Sequence, residues 1–198
     1  MVKISYCDEM SDVEVKIEGV LVRNQTIVSN KKMQNILEQK GCGEISKKKF
    51  ILKPFESLYL LYTNYLELKE GKKKINFDTL MQKCLKYDNN ILTKFLIYRD
   101  LKSKGYVVKD GFGFGSDFRV YERGHFGEKG AKYLVFGLSE GKQEKLGQLQ
   151  KKVGQITQMG KEPVLAVIER RGEVIYYKIS KIKFLKNEAN PPITPIEL

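Results

Sequence analysis

Residues 106–139 read YVVKDGFGFGSDFRVYERGHFGEKGAKYLVFGLS, and three of their segments have the composition of β-strands. The segments YVVKDG, DFRVYERG and AKYLVFGLS are rich in β-branched and aromatic residues, and loops that contain glycine separate them. The third segment carries a continuous apolar run, which is typical of a strand that is buried on both faces. This stretch therefore predicts the centre of a β-sheet.

A helix is predicted on each side of this stretch, and a hairpin follows the second one. Residues 89–105 and 144–160 carry apolar residues three or four positions apart, and Gly105 is placed to close the first helix. The apolar positions are Leu92, Phe95, Leu96 and Leu101 in the first helix, and Leu146, Leu149, Val153 and Ile156 in the second. Residues 163–184 predict a hairpin that turns at Arg171-Gly172.

The first 88 residues predict a smaller set of elements. The alternation of apolar and polar residues from Val13 to Val22, the turn at residues 23–25 and the following TIV indicate a hairpin. Residues 31–40 predict a helix that begins after Asn30 and ends at Gly41, and residues 49–54 predict a short strand that ends at proline.

Two more helices are predicted before residue 88. FESLYLLYTNYLEL (55–68) has apolar residues on one helical face, and we assign Phe55, Tyr59 and Tyr62 to the core because aromatic residues at this spacing usually pack. GKKKIN (71–76) reads as a turn, and FDTLMQKCLKY (77–87) as a helix.

These elements predict a mixed α/β (α+β) fold in two small units. We expect an N-terminal mixed α/β domain over residues 1–88 and a C-terminal domain over residues 89–186, with a central mixed β-sheet flanked by helices. Residues 187–198 contain three of the five prolines and little to bury, so they predict a flexible tail.

The chain is strongly basic, with 36 Lys and Arg against 24 Asp and Glu, a net charge of +12 and a pI of about 9.4. Such a balance favours polyanionic partners, although a lysine-rich surface that only keeps the protein soluble explains the composition equally well. The runs at residues 47–49 and 72–74 are typical of solvated turns.

The composition also argues against a metal-binding protein and a membrane protein. Three separated cysteines, no CxxC pair and a single histidine argue against a zinc site, and we expect no metal and no cofactor. No stretch approaches the roughly 20 apolar residues of a membrane span, and the first residues lack an apolar leader. We therefore expect a cytoplasmic protein with reduced thiols and no membrane partner.

The glycine-rich segment GFGFG (111–115) is not a convincing nucleotide site. It lacks the GxGxxG spacing and precedes a strand, whereas a phosphate-binding loop opens a helix. No Walker lysine and no Ser/His/Asp arrangement is evident. The candidates for chemistry that remain are Tyr121, the loop with the only histidine, His125, and Lys161.

The chain resembles the archaeal tRNA-splicing endonucleases, or tRNA-intron lyases, over nearly its whole length. In the N-terminal unit the resemblance lies in GCGE (41–44) and LKPFESLYLL (52–61). In the C-terminal unit it lies in residues 95–111, GSDFRVYERG (115–124), KYLVF (132–136) and KEPVLAVIERRGEVIYYKI (161–179). These segments are specific because they occur together in this order.

The resemblance implies a metal-independent cleavage of RNA. In the family, a tyrosine helps to remove the proton from a 2′-hydroxyl, which attacks the adjacent phosphate, and a histidine protonates the departing 5′-oxygen. A lysine stabilises the charge that develops on the phosphorane. The products would be a 2′,3′-cyclic phosphate and a 5′-hydroxyl end.

Residue by residue, the family tyrosine corresponds to Tyr121 and the lysine to Lys161. The family histidine stands four residues before the leucine of the YLV strand, and here that position is Gly130. Because glycine has no side chain that can donate a proton, the general acid would be missing. The arginine that the family's catalytic units have just before the lysine corresponds to Gly160, a second departure.

Three functions stay open at this point. The favoured one is a structural subunit that positions and activates a catalytic partner, as in the family's heterotetramers with two subunits of each kind. The second is an active subunit in which His125 replaces the missing acid, because the flanking glycines allow the loop to fold back. The third is a basic RNA-binding protein with no role in cleavage.

The resemblance also implies two contacts between subunits. The last strand, EVIYYKI (173–179), would pair with the same strand of a neighbouring subunit. An acidic loop would enter a basic cleft of the partner, and SEGKQE (139–144) is its candidate. Precursor tRNA with a bulge-helix-bulge intron boundary would be the substrate.

Overall fold

The computed structural model describes residues 16–111, 113, 115–139 and 146–180. Its N-terminal part holds a six-stranded sheet in the order β3-β4-β2-β1-β5-β6 and three helices. The strands are β1 (Ile17–Val22), β2 (Gln25–Val28), β3 (Glu44–Ser46), β4 (Lys49–Leu52), β5 (Leu66–Glu70) and β6 (Lys73–Ile75), and the helices are α1 (Lys31–Gln39), α2 (Pro54–Tyr62) and α3 (Phe77–Leu85). The strands pair antiparallel except for β1 with β5.

The C-terminal part holds a five-stranded sheet in the order β11-β10-β9-β8-β7. Its elements are α4 (Ile91–Ser103), β7 (Val107–Asp110), β8 (Phe118–Tyr121), β9 (Tyr133–Ser139), α5 (Leu146–Gln158), β10 (Glu162–Ile168) and β11 (Val174–Lys178). The pair β9 and β10 is parallel, with α5 between them in sequence, and the other pairs are antiparallel. The predicted mixed α/β fold with two units is therefore confirmed.

The helices begin where the sequence provides caps. The Asn30 side chain accepts hydrogen bonds from the backbone N–H groups of Lys32 and Met33, and Asn76 accepts one from Thr79. Pro54 occupies the first turn of α2, where its missing N–H costs nothing. These residues fix where α1, α2 and α3 begin, and so the direction of the apolar face of each of the three helices.

The GCGE segment ties α1 to α2. Gly41 and Gly43 have φ angles of 68° and 73°, which a residue with a side chain adopts only at a cost. The tight turn brings the N–H of Gly43 to 3.0 Å from the Glu56 carboxylate, which also accepts from the N–H of Lys53 at 2.8 Å. Burial raises the pKa of Glu56, and the two N–H donors oppose that shift.

One hydrophobic core runs through both sheets and the helices α1, α2, α3 and α4. The Phe55 ring on α2 lies 5.0 Å from the Tyr98 ring on α4 and 5.1 Å from the Phe118 ring on β8. A second cluster of Leu134, Phe136 and Ile156 lies between β9 and α5. Because α4 and β8 share core contacts with α2, the N-terminal elements hold the C-terminal sheet in a fixed position.

Two element predictions in the N-terminal part are wrong. The helix predicted over residues 55–68 ends at Tyr62, because Asn64 adopts a φ of 60° and the N–H of Tyr65 bonds to the Leu60 carbonyl. Residues Leu66–Glu70 then form β5. The segment 71–76, predicted as a turn, contains strand β6, and only Gly71 and Lys72 form the turn.

One residue that was assigned to the core, Tyr62, lies at the surface and is 53% exposed at the last position of α2. Leu92, an apolar position of the helix predicted over residues 89–105, is 49% exposed. Several predictions fall on residues outside the described ranges, namely the strand start at Val13, the loop residues 140–144 and the tail 187–198. Of the helices that the structure describes, none combines the length and apolar composition that a membrane span needs.

Candidate active site

Tyr121 is the last residue of β8, where the strand leaves the sheet. It pairs with Val107 on β7 and is half-buried. The Phe126 ring packs edge-on against the Tyr121 ring, with centroids 5.0 Å apart and an interplanar angle of 88°. The loop that follows β8 thus folds back onto the tyrosine, and Phe126 is the residue that contacts it.

The loop from Glu122 to Gly130 is held by short-range hydrogen bonds. The N–H of His125 donates to the Glu122 carbonyl at 3.1 Å, and the His125 carbonyl accepts from the N–H groups of Glu128 and Lys129. Gly124 and Gly127 have φ angles of 77° and 92°, so the two turns of the loop need glycine.

An ion pair joins the two ends of this loop. The Lys132 ammonium donates a hydrogen bond to the Glu122 carboxylate. This contact lowers the pKa of Glu122 and raises that of Lys132 from their ordinary values. Sequence analysis did not identify the pair, because ten residues separate its members and neither lies in a recognisable motif.

His125 faces Glu128. Its Nδ1 lies 3.9 Å from the Glu128 carboxylate and is buried with no hydrogen-bond partner, while 39% of the side chain is exposed. Among the described residues, no hydrogen bond or ion pair joins His125 to Tyr121 or to Lys161. The observed contacts of the imidazole therefore stay within its own loop.

Lys161 lies beside Gly130. Its ammonium donates a hydrogen bond of 2.6 Å to the Ala131 carbonyl, and a Cβ built on Gly130 would lie 3.8 Å from the Lys161 Nζ. Apart from its neighbours in the chain, no other atom of the described residues comes within 4 Å of that Cβ position. The position that the resemblance assigns to the family histidine is thus open space next to the lysine.

Lys132 connects the two flanking strands. Its N–H bonds to the Val120 carbonyl beside Tyr121, and its carbonyl accepts from the N–H of Glu162 beside Lys161. Strands are spaced about 4.8 Å apart, so the backbones of β8 and β10 lie about 10 Å apart across β9. Tyr121, at the end of β8, and Lys161, just before β10, therefore lie on either side of the segment that begins at Gly130.

Gly160 closes helix α5. Its φ is 68°, its N–H bonds to the Thr157 carbonyl, and the N–H of Lys161 bonds to the Ile156 carbonyl. This is the pattern of a glycine that ends a helix in the left-handed conformation. The backbone thus gives a reason for glycine at this position, and the turn sets the direction in which Lys161 leaves the helix.

The described residues hold no group of three or more His, Cys, Asp or Glu side chains that could bind a metal ion. Cys42 and Cys84 are buried free thiols, and burial raises the pKa of each. Cys7 and the phenylalanines of GFGFG lie outside the described ranges.

Comparison with known proteins identifies the family. A model of the tRNA intron endonuclease N-terminal domain matches residues 17–81, and one of the catalytic C-terminal domain matches residues 91–176. The tRNA-splicing endonuclease of Methanococcus vannielii is 30% identical over 175 residues, which cover 88% of this chain and 99% of the relative. That of Thermococcus onnurineus is 30% identical over 172 residues, 87% of this chain and 98% of the relative. The chain belongs to the tRNA intron endonuclease family.

Proposed function

We propose that this chain is the structural subunit of a heterotetrameric tRNA-splicing endonuclease, with two copies of it and two of a catalytic partner. The assembly removes introns from precursor tRNA at bulge-helix-bulge boundaries and leaves 2′,3′-cyclic phosphate and 5′-hydroxyl ends. In this proposal the chain positions and activates its partner and does not itself cut RNA.

The open space at Gly130 carries the proposal. Tyr121 and Lys161 flank it, so two of the three groups of the family's reaction have counterparts, and the group that would protonate the leaving oxygen has none. Positioned acid catalysis contributes about 10²–10⁴ in rate. Because the site lacks a general acid, cleavage in this proposal depends on a partner subunit that retains the histidine.

The edge of the C-terminal sheet supports assembly with a neighbouring subunit. Strand β11 pairs only with β10 in the described sheet, so its outer backbone groups are available to another strand. Ile175 is 36% and Tyr177 is 51% exposed on one face of β11. Pairing of this strand with that of a neighbouring subunit would bury both side chains and satisfy the edge. The second contact, the acidic loop 139–144, lies almost entirely outside the described residues.

The net charge of +12 favours binding of a polyanion, and in this proposal the polyanion is precursor tRNA. Two intron boundaries lie on either side of a short helix, so two catalytic units must be held at a fixed distance. A structural subunit whose larger core spans both sheets is suited to setting that distance.

The test is cleavage of a bulge-helix-bulge RNA in EDTA by the pure chain, by a catalytic subunit, and by both together. We expect cleavage only when the catalytic subunit is present, and stimulation by this chain. Cleavage by the pure chain that His125→Ala abolishes would support the second function, with Tyr121, His125 and Lys161 as the catalytic residues. Binding of structured RNA with neither cleavage nor stimulation would support the third.

A further inference from the structure

A cavity of about 240 Å³ lies between the C-terminal half of α4 and the β-sheet. Its floor is formed by valines and its walls by three tyrosines: Val120, Val135 and Val164, and Tyr106, Tyr133 and Tyr176. The volume is smaller than the roughly 300–1,000 Å³ of sites for drug-sized ligands. The cavity thus suits one flat ring system better than a peptide segment or a lipid chain.

Each of the three tyrosine rings has a cation against it. The distances from the cationic group to the ring centroid are 4.9 Å for Lys104 on Tyr176, 4.9 Å for Arg123 on Tyr106 and 5.4 Å for Lys132 on Tyr133. The tyrosines are only partly buried, so a ligand can reach the cavity from solvent. An apolar interior behind a basic rim fits a ligand with an aromatic ring and a negative charge.

Arg123 is the rim cation best placed to bind an anion. Lys104 is paired with Asp100 and Lys132 with Glu122, whereas Arg123 is exposed and has no carboxylate partner in the described part of the chain. A guanidinium binds a phosphate through two parallel hydrogen bonds, which a lysine cannot do. The rim therefore has one free group with the geometry for phosphate.

We propose that this cavity binds one unpaired nucleotide of a structured RNA, with the base between the tyrosine walls and the phosphate on Arg123. Unpaired bases are commonly recognised by aromatic side chains while cations hold the backbone. Arg123 follows Tyr121 by two residues, but the cavity is lined by Val120, and Tyr121, the next residue of β8, points to the other face of the sheet. The proposal rests on the proposed function for its substrate, an RNA with unpaired nucleotides.

The test uses the full chain in EDTA and an RNA hairpin with a short bulge that contains 2-aminopurine. We expect the fluorescence of the bulge to change on binding, and the bulged RNA to bind more tightly than a fully paired RNA of equal length. Arg123→Ala should weaken binding of the bulged RNA about tenfold and remove its preference over the paired one. Arg171→Ala is the matched control, because Arg171 is exposed in the turn at the far end of β10.

A second variant tests the cavity apart from the rim charge. Tyr106→Leu removes one aromatic wall at a half-buried position, and it should abolish the 2-aminopurine signal while binding of the paired RNA stays unchanged. Equal loss of affinity in Arg123→Ala and Arg171→Ala, or an unchanged 2-aminopurine signal in Tyr106→Leu, would overturn the proposal. Because these measurements involve binding only, stimulation of a catalytic subunit can succeed or fail independently of them.

Discussion

Gly130→His should give this chain the ability to cleave RNA. Gly130 is exposed and its φ lies outside the left-handed region, and among the described residues other than its chain neighbours a Cβ there meets only the Lys161 Nζ, at 3.8 Å. A side chain can therefore be added without moving the backbone. The imidazole would lie next to Lys161 on the segment that Tyr121 and Lys161 flank, so the family's three groups would be present again.

The expected gain is that of a positioned general acid, about 10²–10⁴ in the rate of the chemical step. This corresponds to about 2.7–5.4 kcal/mol of transition-state stabilisation at 1.36 kcal/mol for each factor of ten. The nearby ammonium of Lys161 should lower the pKa of the new imidazole below its usual value of about 6.5. Because the acid must carry a proton, cleavage should fall as the pH rises above that pKa.

The assay measures single-turnover cleavage of a bulge-helix-bulge RNA in EDTA. The variant is assembled with a catalytic partner whose own histidine is replaced by alanine, so that any cleavage comes from this chain. Gly130→Ala is the matched control, since it has the same backbone change without an acid, and Gly130→His with Lys161→Ala should lose most of the gain. If folded Gly130→His is no faster than Gly130→Ala, the assignment of Gly130 as the acid position is wrong.

Three further predictions concern stability. Gly160→Ala should destabilise the fold by about 1–2 kcal/mol in urea unfolding, because its φ is 68°, whereas Gly154→Ala inside α5 should stabilise it by about 0.5–1 kcal/mol. Phe55→Ala should cost about 3–5 kcal/mol and leave a single unfolding transition by far-UV circular dichroism and by tyrosine fluorescence, because its ring joins α2 to α4 and β8. Burial raises the pKa of Asp117 in the folded state. The free energy of unfolding should therefore fall as the pH rises from about 3.9, the ordinary pKa of an aspartate, towards the raised pKa. Asp117→Asn can keep the bond from the Gly137 N–H and should gain stability over the wild type at pH 7, with the gain vanishing near pH 4.

The C-terminal sheet could be predicted from the sequence because its signals are local and agree with one another. Strands β7 to β11 and helices α4 and α5 lie where strand composition and helical spacing place them. The N-terminal helix predicted over 55–68 failed because its last residues, LEL, fit a helical face as well as they fit a strand. Only the left-handed turn at Asn64 and the parallel pairing of β5 with β1 decide between them, and that pairing is a contact distant in sequence.

The residues of the candidate site stay a prediction, and their contacts could not be predicted from the sequence. The family resemblance assigns the acid position to Gly130, and a Cβ on that glycine would lie 3.8 Å from the Lys161 Nζ. The packing of Phe126 on Tyr121 depends on how a loop with two glycines folds back, which no local pattern encodes. The same holds for the ion pair of Glu122 with Lys132, which links the two ends of that loop.

The two glycines that depart from the family pattern have different physical meanings. Gly160 has a φ of 68° at the end of α5, so helix termination alone is a sufficient reason for glycine there. Gly130 has no such requirement, because its backbone conformation and the space around it both accept a side chain. Folding therefore explains the first glycine and leaves the second unexplained. A position beside Lys161 that could hold an acid and holds none is what we expect of the proposed structural subunit, because its partner would carry the catalytic histidine.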